Sequence, residues 1–567
     1  MKKFKDRFSG LTLIKILIYA FFGLFMLLPL FSVFLVSFTG EPINLLGSLT
    51  DPAIFQSTME KLKGMSLENY KKIFSNAGYL SALKNSLVLG FSVTIIVILA
   101  CIPLAYGIAR TKMPFKKTIS ALCMVPLIVP TFISSYAFII MFGRAGWVTQ
   151  IYNALGGEGM LVNPYSMTGV VLVQVFFFFP YALWPLVAAF KVSDISLEEA
   201  SQNLGAKSWF TFVFVTFPLA LPGVISSALL IFTVSFSDFG TPIVLAPKEL
   251  NLLVVEAYRE ISGFFNWGGA AILTVVMVIV AAFFFWLQHL FTKGKNYGSV
   301  SGKPKQQKLV ENKLLTRVLS GYSFFIVLVP LLAMLSIALQ SVSTTWGKNL
   351  LPNGYTLDHY KTIFSTSMSN IQNSIILATG ALVLSVIIAT FVSYFVVRQN
   401  SAKLDFMASI PLVVPGIAFG IALIQTFNTA PLHLTGTALL LIIAYTIRRL
   451  PYMVRSTMGA MRAIKQDIEE AAINLGATQL TAAITIIGPL MLPGIAAGSV
   501  LVFITVIKEA SVSILLAPPE WAPMSLAIFH NILRGEYYSA AAMSIVLVAL
   551  VLVLQGIATG IGKKQKL

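Results

Sequence analysis

About twenty consecutive apolar residues suffice to carry an α-helix across a bilayer, and the chain contains twelve such runs. They lie at about 12–37, 85–109, 118–142, 167–190, 213–236, 268–292, 315–339, 373–397, 404–428, 435–456, 486–511 and 538–561. In hydrocarbon every backbone N–H and C=O must find its partner within the segment, which a helix provides. With 57% hydrophobic and 11% charged residues and a mean hydropathy of +0.84, a water-soluble fold would expose more apolar surface than water tolerates. The sequence therefore predicts an all-α polytopic protein resident in the lipid bilayer, with about 12 transmembrane helices.

A formal net charge of +18 would suit nucleic acid, but its distribution follows the membrane instead. Lys2, Lys3, Lys5 and Arg7 precede the first run, and Arg110, Lys112, Lys116 and Lys117 lie between the second and third. Lys293, Lys295, Lys303, Lys305, Lys308 and Lys313 lie between the sixth and seventh, and Lys563, Lys564 and Lys566 end the chain. With twelve spans all four clusters share one side, and short basic loops stay in the cytoplasm. Both termini are expected to be cytoplasmic, and no nucleic-acid partner is expected. The loop 38–84 mixes five lysines with Glu41, Asp51, Glu60 and Glu68, and long loops obey the charge rule less strictly. The apolar N-terminal run continues to about Phe38 with no small-residue cleavage site, so it reads as a retained span. Cys101 and Cys123 fall inside runs, and His289, His359, His433 and His530 are scattered, so no metal-ligand cluster is expected.

The chain repeats itself. Glu198-Glu-Ala-Ser-Gln-Asn-Leu-Gly205 returns as Glu469-Glu-Ala-Ala-Ile-Asn-Leu-Gly476, and Pro222-Gly223 returns as Pro493-Gly494, all at one constant offset. Ser66–Ser75 matches Thr356–Ser365, Asn85-Ser86 matches Asn373-Ser374, and Pro126-Leu-Ile-Val-Pro130 matches Pro411-Leu-Val-Val-Pro415. Two six-helix repeats follow: a first lobe at 1–292, a polar linker at 293–314 and a second lobe at 315–567. Six is even, so the halves are parallel and the polar segments 191–217 and 462–488 face the same side. A charged segment placed twice between apolar spans suits two copies of one soluble partner.

Each of these segments carries helix signals. Ser196 with Glu199 spells a capping box, and Asp467 with Glu470 its acidic-cap counterpart. Such helices put Ala200 and Leu204, or Ala471 and Leu475, on one face. Gly205 and Gly476 suit the left-handed residue that ends a helix. Small alanines allow close approach, and Glu199 and Glu470 can meet donors on a partner.

Charged groups at membrane depth normally face a cavity or a partner. Asp238 follows Pro222 by sixteen residues, about 24 Å of helix, and Glu509 holds the same register in the second half. Asp238, Gly240, Lys508 and Glu509 are the expected substrate pathway or gate, toward its outer end. Lys508 breaks the symmetry, because Ser237 stands at its counterpart position. Arg448 and Arg449 read as anchors at the cytoplasmic edge of the tenth run. The prolines Pro126, Pro130, Pro180, Pro411, Pro415 and Pro451 are expected to kink spans. No catalytic residue is expected. None of the Gly-Lys pairs (Gly294-Lys295, Gly302-Lys303, Gly347-Lys348, Gly562-Lys563) completes a phosphate-binding loop.

The duplicated Glu-Ala-Ala segment resembles the docking loop of ABC importer permeases, and across essentially the whole chain the sequence is similar to fused two-lobe type I permeases. The Asp238-Phe-Gly-Thr segment, and Lys508-Glu509 running into Leu515-Leu-Ala-Pro518, resemble the ferric iron permease family. Glu509 is followed by Ala-Ser-Val-Ser, where that family usually has Leu-Pro-Ala-Thr. Asp-Phe-Gly-Thr-Pro is also similar to 2-aminoethylphosphonate permeases, and related systems carry sugar phosphates, thiamine or polyamines. The resemblance implies a permease of a bacterial cytoplasmic membrane. It implies an extracytoplasmic substrate-binding protein as donor and two copies of an ATPase on the docking loops, with ATP and magnesium used there and no cofactor in this chain. An ion-coupled secondary transporter or a multi-span membrane enzyme would instead need acids near the midplane or clustered His and Asp motifs.

Overall fold

Because lipid cannot satisfy backbone groups, long apolar runs become long helices, and the computed structural model shows this for residues 10–192, 195–292, 309–347 and 349–564. The linker residues 293–308 lie outside the described residues. Among the described residues no strand forms, and two isolated bridges pair Thr111 with Val310 and Ser343 with Tyr355. Nine helices among them are long and apolar enough to cross a membrane, and up to eleven if two bent pairs each count as one span. The bent pairs are Ala402–Leu412 with Gly416–Phe427, at 107°, and Gln479–Leu490 with Leu492–Ile507, at 71°. Pro415 precedes Gly416 at the first break, where its ring prevents the preceding turn from continuing.

Three expected spans are thereby revised. The runs at 404–428 and 486–511 are bent rather than straight. The run at 118–142 is cut into Lys116–Leu122, Val125–Ile128 and Thr131–Phe142, with Pro130 at the last cut. The tenth, at 435–456, belongs to the helix Ala438–Ala463, about 39 Å long. Its four arginines, Arg448, Arg449, Arg455 and Arg462, set it apart from the apolar spans.

The chain divides into two compact units, and these cut across the sequence halves. One unit comprises 1–76, 256–278 and 357–567; the other comprises 77–255 and 279–356. The first helix of each half is thus part of the unit built mainly from the other half. In the first unit, the Gly10–Thr39 helix sets Phe25 against Phe427 with ring centroids 5.4 Å apart, and Lys15 Nζ donates to Gln399 Oε1 at 2.9 Å. In the second, the Lys313–Ser341 helix accepts from the Tyr136 hydroxyl at Gln340 Oε1, 2.6 Å away. The Tyr322 hydroxyl of the same helix donates to the Ala100 carbonyl at 2.9 Å.

Matched residues do matched work within their units. Asn85 Nδ2 donates to the Asn251 carbonyl at 3.1 Å, and Ser86 Oγ accepts from the Leu253 N–H at 2.9 Å. Asn373 Nδ2 donates to the Glu520 carbonyl at 2.8 Å, and Ser374 Oγ accepts from the Met524 N–H at 2.7 Å. Each pair satisfies backbone groups that would otherwise be orphaned at the start of a helix or in its preceding loop.

Candidate functional site

The two repeated polar segments fold into the short helices Ile195–Asn203 and Gln466–Asn474. Residues 193–194 of the first segment lie outside the described residues. Both helices end in the same motif. The Ala206 N–H donates to the Ser201 carbonyl and the Gly205 N–H to the Gln202 carbonyl; Ala477 and Gly476 repeat this toward Ala472 and Ile473. Gly205 and Gly476 take φ values of +88° and +96°, the left-handed conformation this cap requires. A side chain at either glycine would meet open space, so the requirement is conformational and not one of room.

The expected caps are not formed as read. The first helix already includes Ile195, which places Ser196 inside it, and the second starts at Gln466 with Lys465 in the cap position. Asp467 instead lies in the first turn, where its charge favours the positive helix end. Glu470 is exposed and accepts from Gln466 Nε2 at 3.0 Å. Ala200 and Ala471 are exposed, and Glu199 is half-buried.

The residues that hold these helices are the first glutamates of each pair, which sequence reasoning missed. Glu198 Oε1 pairs with Arg110 Nη2 and accepts from the Thr216 hydroxyl at 2.8 Å. Glu469 Oε2 accepts from Arg398 Nε at 3.0 Å, and its Oε1 accepts from the Tyr394 hydroxyl. Arg110 and Arg398 each sit at the C-terminal end of the second long helix of their half. That shared position is the sequence signal that would have paired them with an acid. With the inner faces anchored, Leu204 and Leu475 stand 89% and 91% exposed at the tips. The exposed face of the first of these helices continues into a groove of about 680 Å³ walled by Leu197, Ala200, Leu204, Lys207, Trp209 and Phe210. Trp209, Phe210 and Phe214 are exposed there. The second segment carries Leu480, Thr481 and Thr485 in place of these three aromatic residues.

Beyond each of these short helices the chain turns into a long helix and breaks at the expected acid. Asp238 follows Phe217–Ser237 and precedes Gly240–Leu245. Its Oδ1 accepts from the Gly240 N–H at 3.2 Å, and its Oδ2 from the Thr241 N–H at 3.2 Å and Gln174 Nε2 at 3.0 Å. The carboxylate therefore caps the next helix and is met by neutral donors. Gly240 is held close to the neighbouring helix, where an added methyl would overlap Thr131 Oγ1.

Glu509 follows Leu492–Ile507, after Lys508 at the helix end. It is 3% exposed, pairs through Oε2 with Arg449 Nη2, and lies 3.7 Å from Arg448 Nε. Its carbonyl accepts from the Ser513 and Ser525 hydroxyls at 2.8 and 2.6 Å. Arg448 and Arg449 are thus partners of the acid and not edge anchors. The reason is that their helix runs fifteen residues past Arg448 to Ala463, about 22 Å.

Residues 77–297 and 381–566 match the family described as binding-protein-dependent transport system inner membrane component, and the chain belongs to that family. It is a fused two-lobe permease of an ABC import system, resembling the ferric iron permeases. Ferric transport system permease protein FbpB of Actinobacillus pleuropneumoniae is 25% identical over 518 residues, covering 88% of this chain and 74% of that protein. Fe(3+)-transport system permease protein FbpB 2 of Haemophilus influenzae is 25% identical over 470 residues, covering 82% and 87%. PhnV of Salmonella paratyphi A, provisionally named as a 2-aminoethylphosphonate transport system permease, is 25% identical over 237 residues, covering 40% and 89%.

Proposed function

We propose that this chain is the permease through which ferric iron, handed over by an extracytoplasmic binding protein, crosses the inner membrane. Two copies of an ATPase subunit seat on the Ile195–Asn203 and Gln466–Asn474 helices, on the cytoplasmic side that also holds both termini. Glu199, Ala200 and Gly205, with Glu470, Ala471 and Gly476, make the coupling surfaces, and hydrolysis of ATP with magnesium belongs to the partner. The observation that carries the reading is the repeated docking helix, tied inward by a glutamate–arginine pair and presenting an exposed leucine at its tip. A lever fixed at one face to a long helix transmits partner closure to the span it is fixed to. Asp238, Gly240, Lys508 and Glu509 lie at the breaks of the following helices, where such movement is absorbed, and serve as pathway or gate.

Iron is favoured by the two ferric relatives that span most of the chain. A phosphonate or another small anion is the second reading, favoured by the cations gathered about Glu509. Uptake of labelled ferric iron by cells with and without the gene, with unlabelled 2-aminoethylphosphonate as competitor, separates the two. Loss of iron uptake on deletion, insensitive to the phosphonate, is the expected result. Unchanged iron uptake together with lost phosphonate uptake moves the assignment to the anion.

A further inference from the structure

The Ile195–Asn203 and Gln466–Asn474 helices are built alike, but each is fastened differently to the span that follows it. In the first half Glu198 Oε1 takes two donors at once. One is Arg110, at the end of the long helix Ala77–Arg110. The other is the Thr216 hydroxyl at 2.8 Å, from the last residue of the π-turn Phe212–Thr216 in the following span. Earlier in the same span, the Thr211 hydroxyl shares a hydrogen bond of 3.1 Å with the Ser201 hydroxyl of the short helix. The short helix is therefore tied both to the long helix and to the span it leads into.

In the second half no hydroxyl stands at these positions. Ala472, Ala482 and Ile487 replace Ser201, Thr211 and Thr216 at the constant offset of the repeat. All three are buried, so the contact there is apolar and non-directional. Glu469 takes both of its donors, Tyr394 and Arg398, from one helix, Met368–Gln399. The hydroxyls of Thr478, Thr481 and Thr485 bond within their own turn. The π-turn itself is kept, as Ala483–Ile487.

The spans differ to match. Ser208–Ser237 runs as one span of 30 residues, whereas its counterpart bends by 71° between Gln479–Leu490 and Leu492–Ile507. Both carry the same prolines, Pro218 and Pro222 in one and Pro489 and Pro493 in the other. Proline alone therefore does not decide which span bends. A π-turn is a local irregularity frequent at functional sites. In the first half a charge-assisted hydrogen bond, which is strong and directional, clamps that turn to the short helix. In the second half only apolar packing holds it.

We propose that Ser201, Thr211 and Thr216 are positioning residues that join the first short helix and its span into one rigid lever, while the second short helix slides on its span, which hinges at Met491. The proposal rests on the reading that ATPase subunits seat on these helices, and adds that their stroke reaches the two halves unequally. Closure of the two ATPase subunits carries the Asp238 break along with the first lever. In the second half part of the same stroke is taken up before it reaches the Glu509 break.

The test uses the full chain co-purified with its ATPase and reconstituted in lipid nanodiscs, with Cys101 and Cys123 replaced by alanine. Spin labels are placed at Asn203 and Leu221 in one sample and at Asn474 and Leu492 in another, exposed positions matched across the repeat. The distance between labels is measured by pulsed electron paramagnetic resonance, without nucleotide and after trapping with ATP and vanadate. The expected result is a fixed first pair and a shift of about 2 Å or more in the second. Ser201→Ala with Thr211→Ala and Thr216→Ile should free the first pair to shift like the second, and Thr216→Ser alone should leave it fixed. The converse exchange, Ala472→Ser with Ala482→Thr and Ile487→Thr, should shrink the second shift. Equal shifts in the two halves of the wild type, no shift in either, or a first pair still fixed in its triple variant overturn the proposal. Retention of the ATPase by the wild type shows that such a failure is not a failure of the import reading; its loss removes both.

Discussion

Asp238 and Glu509 stand in the same register of the two halves, yet their surroundings handle the charge in opposite ways. Asp238 is met by an amide side chain and two backbone N–H groups, and its unit brings no cation to it among the described hydrogen bonds and ion pairs. Glu509 is met by two arginines and follows a lysine. The small residue has changed sides as well. Gly240 gives way to Thr131 in one half, whereas Gly416 gives way to Arg448 and Ser511 in the other. A repeat can thus keep an acid at a helix break for its capping geometry while its two copies diverge in electrostatics.

The largest effect separates these two acids directly. Glu509→Ala leaves Arg448 and Arg449, whose side chains are only 15% and 16% exposed, without their counter-charge and should destabilise by about 3 kcal/mol. Asp238→Ala loses hydrogen bonds to neutral donors, about 1–3 kcal/mol. Thermal unfolding of the solubilised chain, followed by tryptophan fluorescence, should rank Glu509→Ala well below Asp238→Ala. Equal midpoints would mean that the difference in charge environment carries no energetic weight.

The docking anchors come next. Glu469 and Arg398 have side chains 7% and 11% exposed, against 19% and 4% for Glu198 and Arg110. Glu469→Gln and Glu198→Gln should each weaken retention of the ATPase on co-purification, with Glu469→Gln the more severe because its carboxylate is the drier of the two. Retention unaffected by both changes would remove the inward glutamates from the coupling path.

The smallest expected effect is shared equally by the halves. Gly205→Ala and Gly476→Ala each force a Cβ into the left-handed region, about 1–2 kcal/mol, with no clash to add because both sites are open. Each should lower coupled ATPase activity modestly and to a similar extent. A large loss at one glycine only would show that the two docking loops are unequal in more than their aromatic residues.

Much of the local shape of the two short polar helices could be read in advance. The glycine, the short helix and the repeated proline are local matters, since a cap depends on the residues within one turn of it. What escaped was direction. Two adjacent glutamates look alike in sequence, and Glu198 and Glu469 are distinguished from Glu199 and Glu470 only by Arg110 and Arg398, 88 and 71 residues away. Arg448 and Arg449 were misplaced for a related reason. An apolar run read from hydropathy stops at the first charges, whereas the helix continues to Ala463 because its arginines have partners in the fold.

The sequence by itself determined that the chain is helical, that it lives in a membrane, that it is built twice, and where each copy presents a capped polar helix. Those follow from composition, run length and local turn chemistry, all of which act over a few residues. Only the tertiary structure decided that each half lends its first helix to the other's unit, that three runs are broken, and that Glu509 rather than Asp238 is surrounded by cations. A lipid-facing surface and a helix-facing surface are both apolar, so hydropathy cannot say which helix a span packs against. That choice is made by side-chain fit and by long-range pairs such as Tyr136 with Gln340 and Arg449 with Glu509.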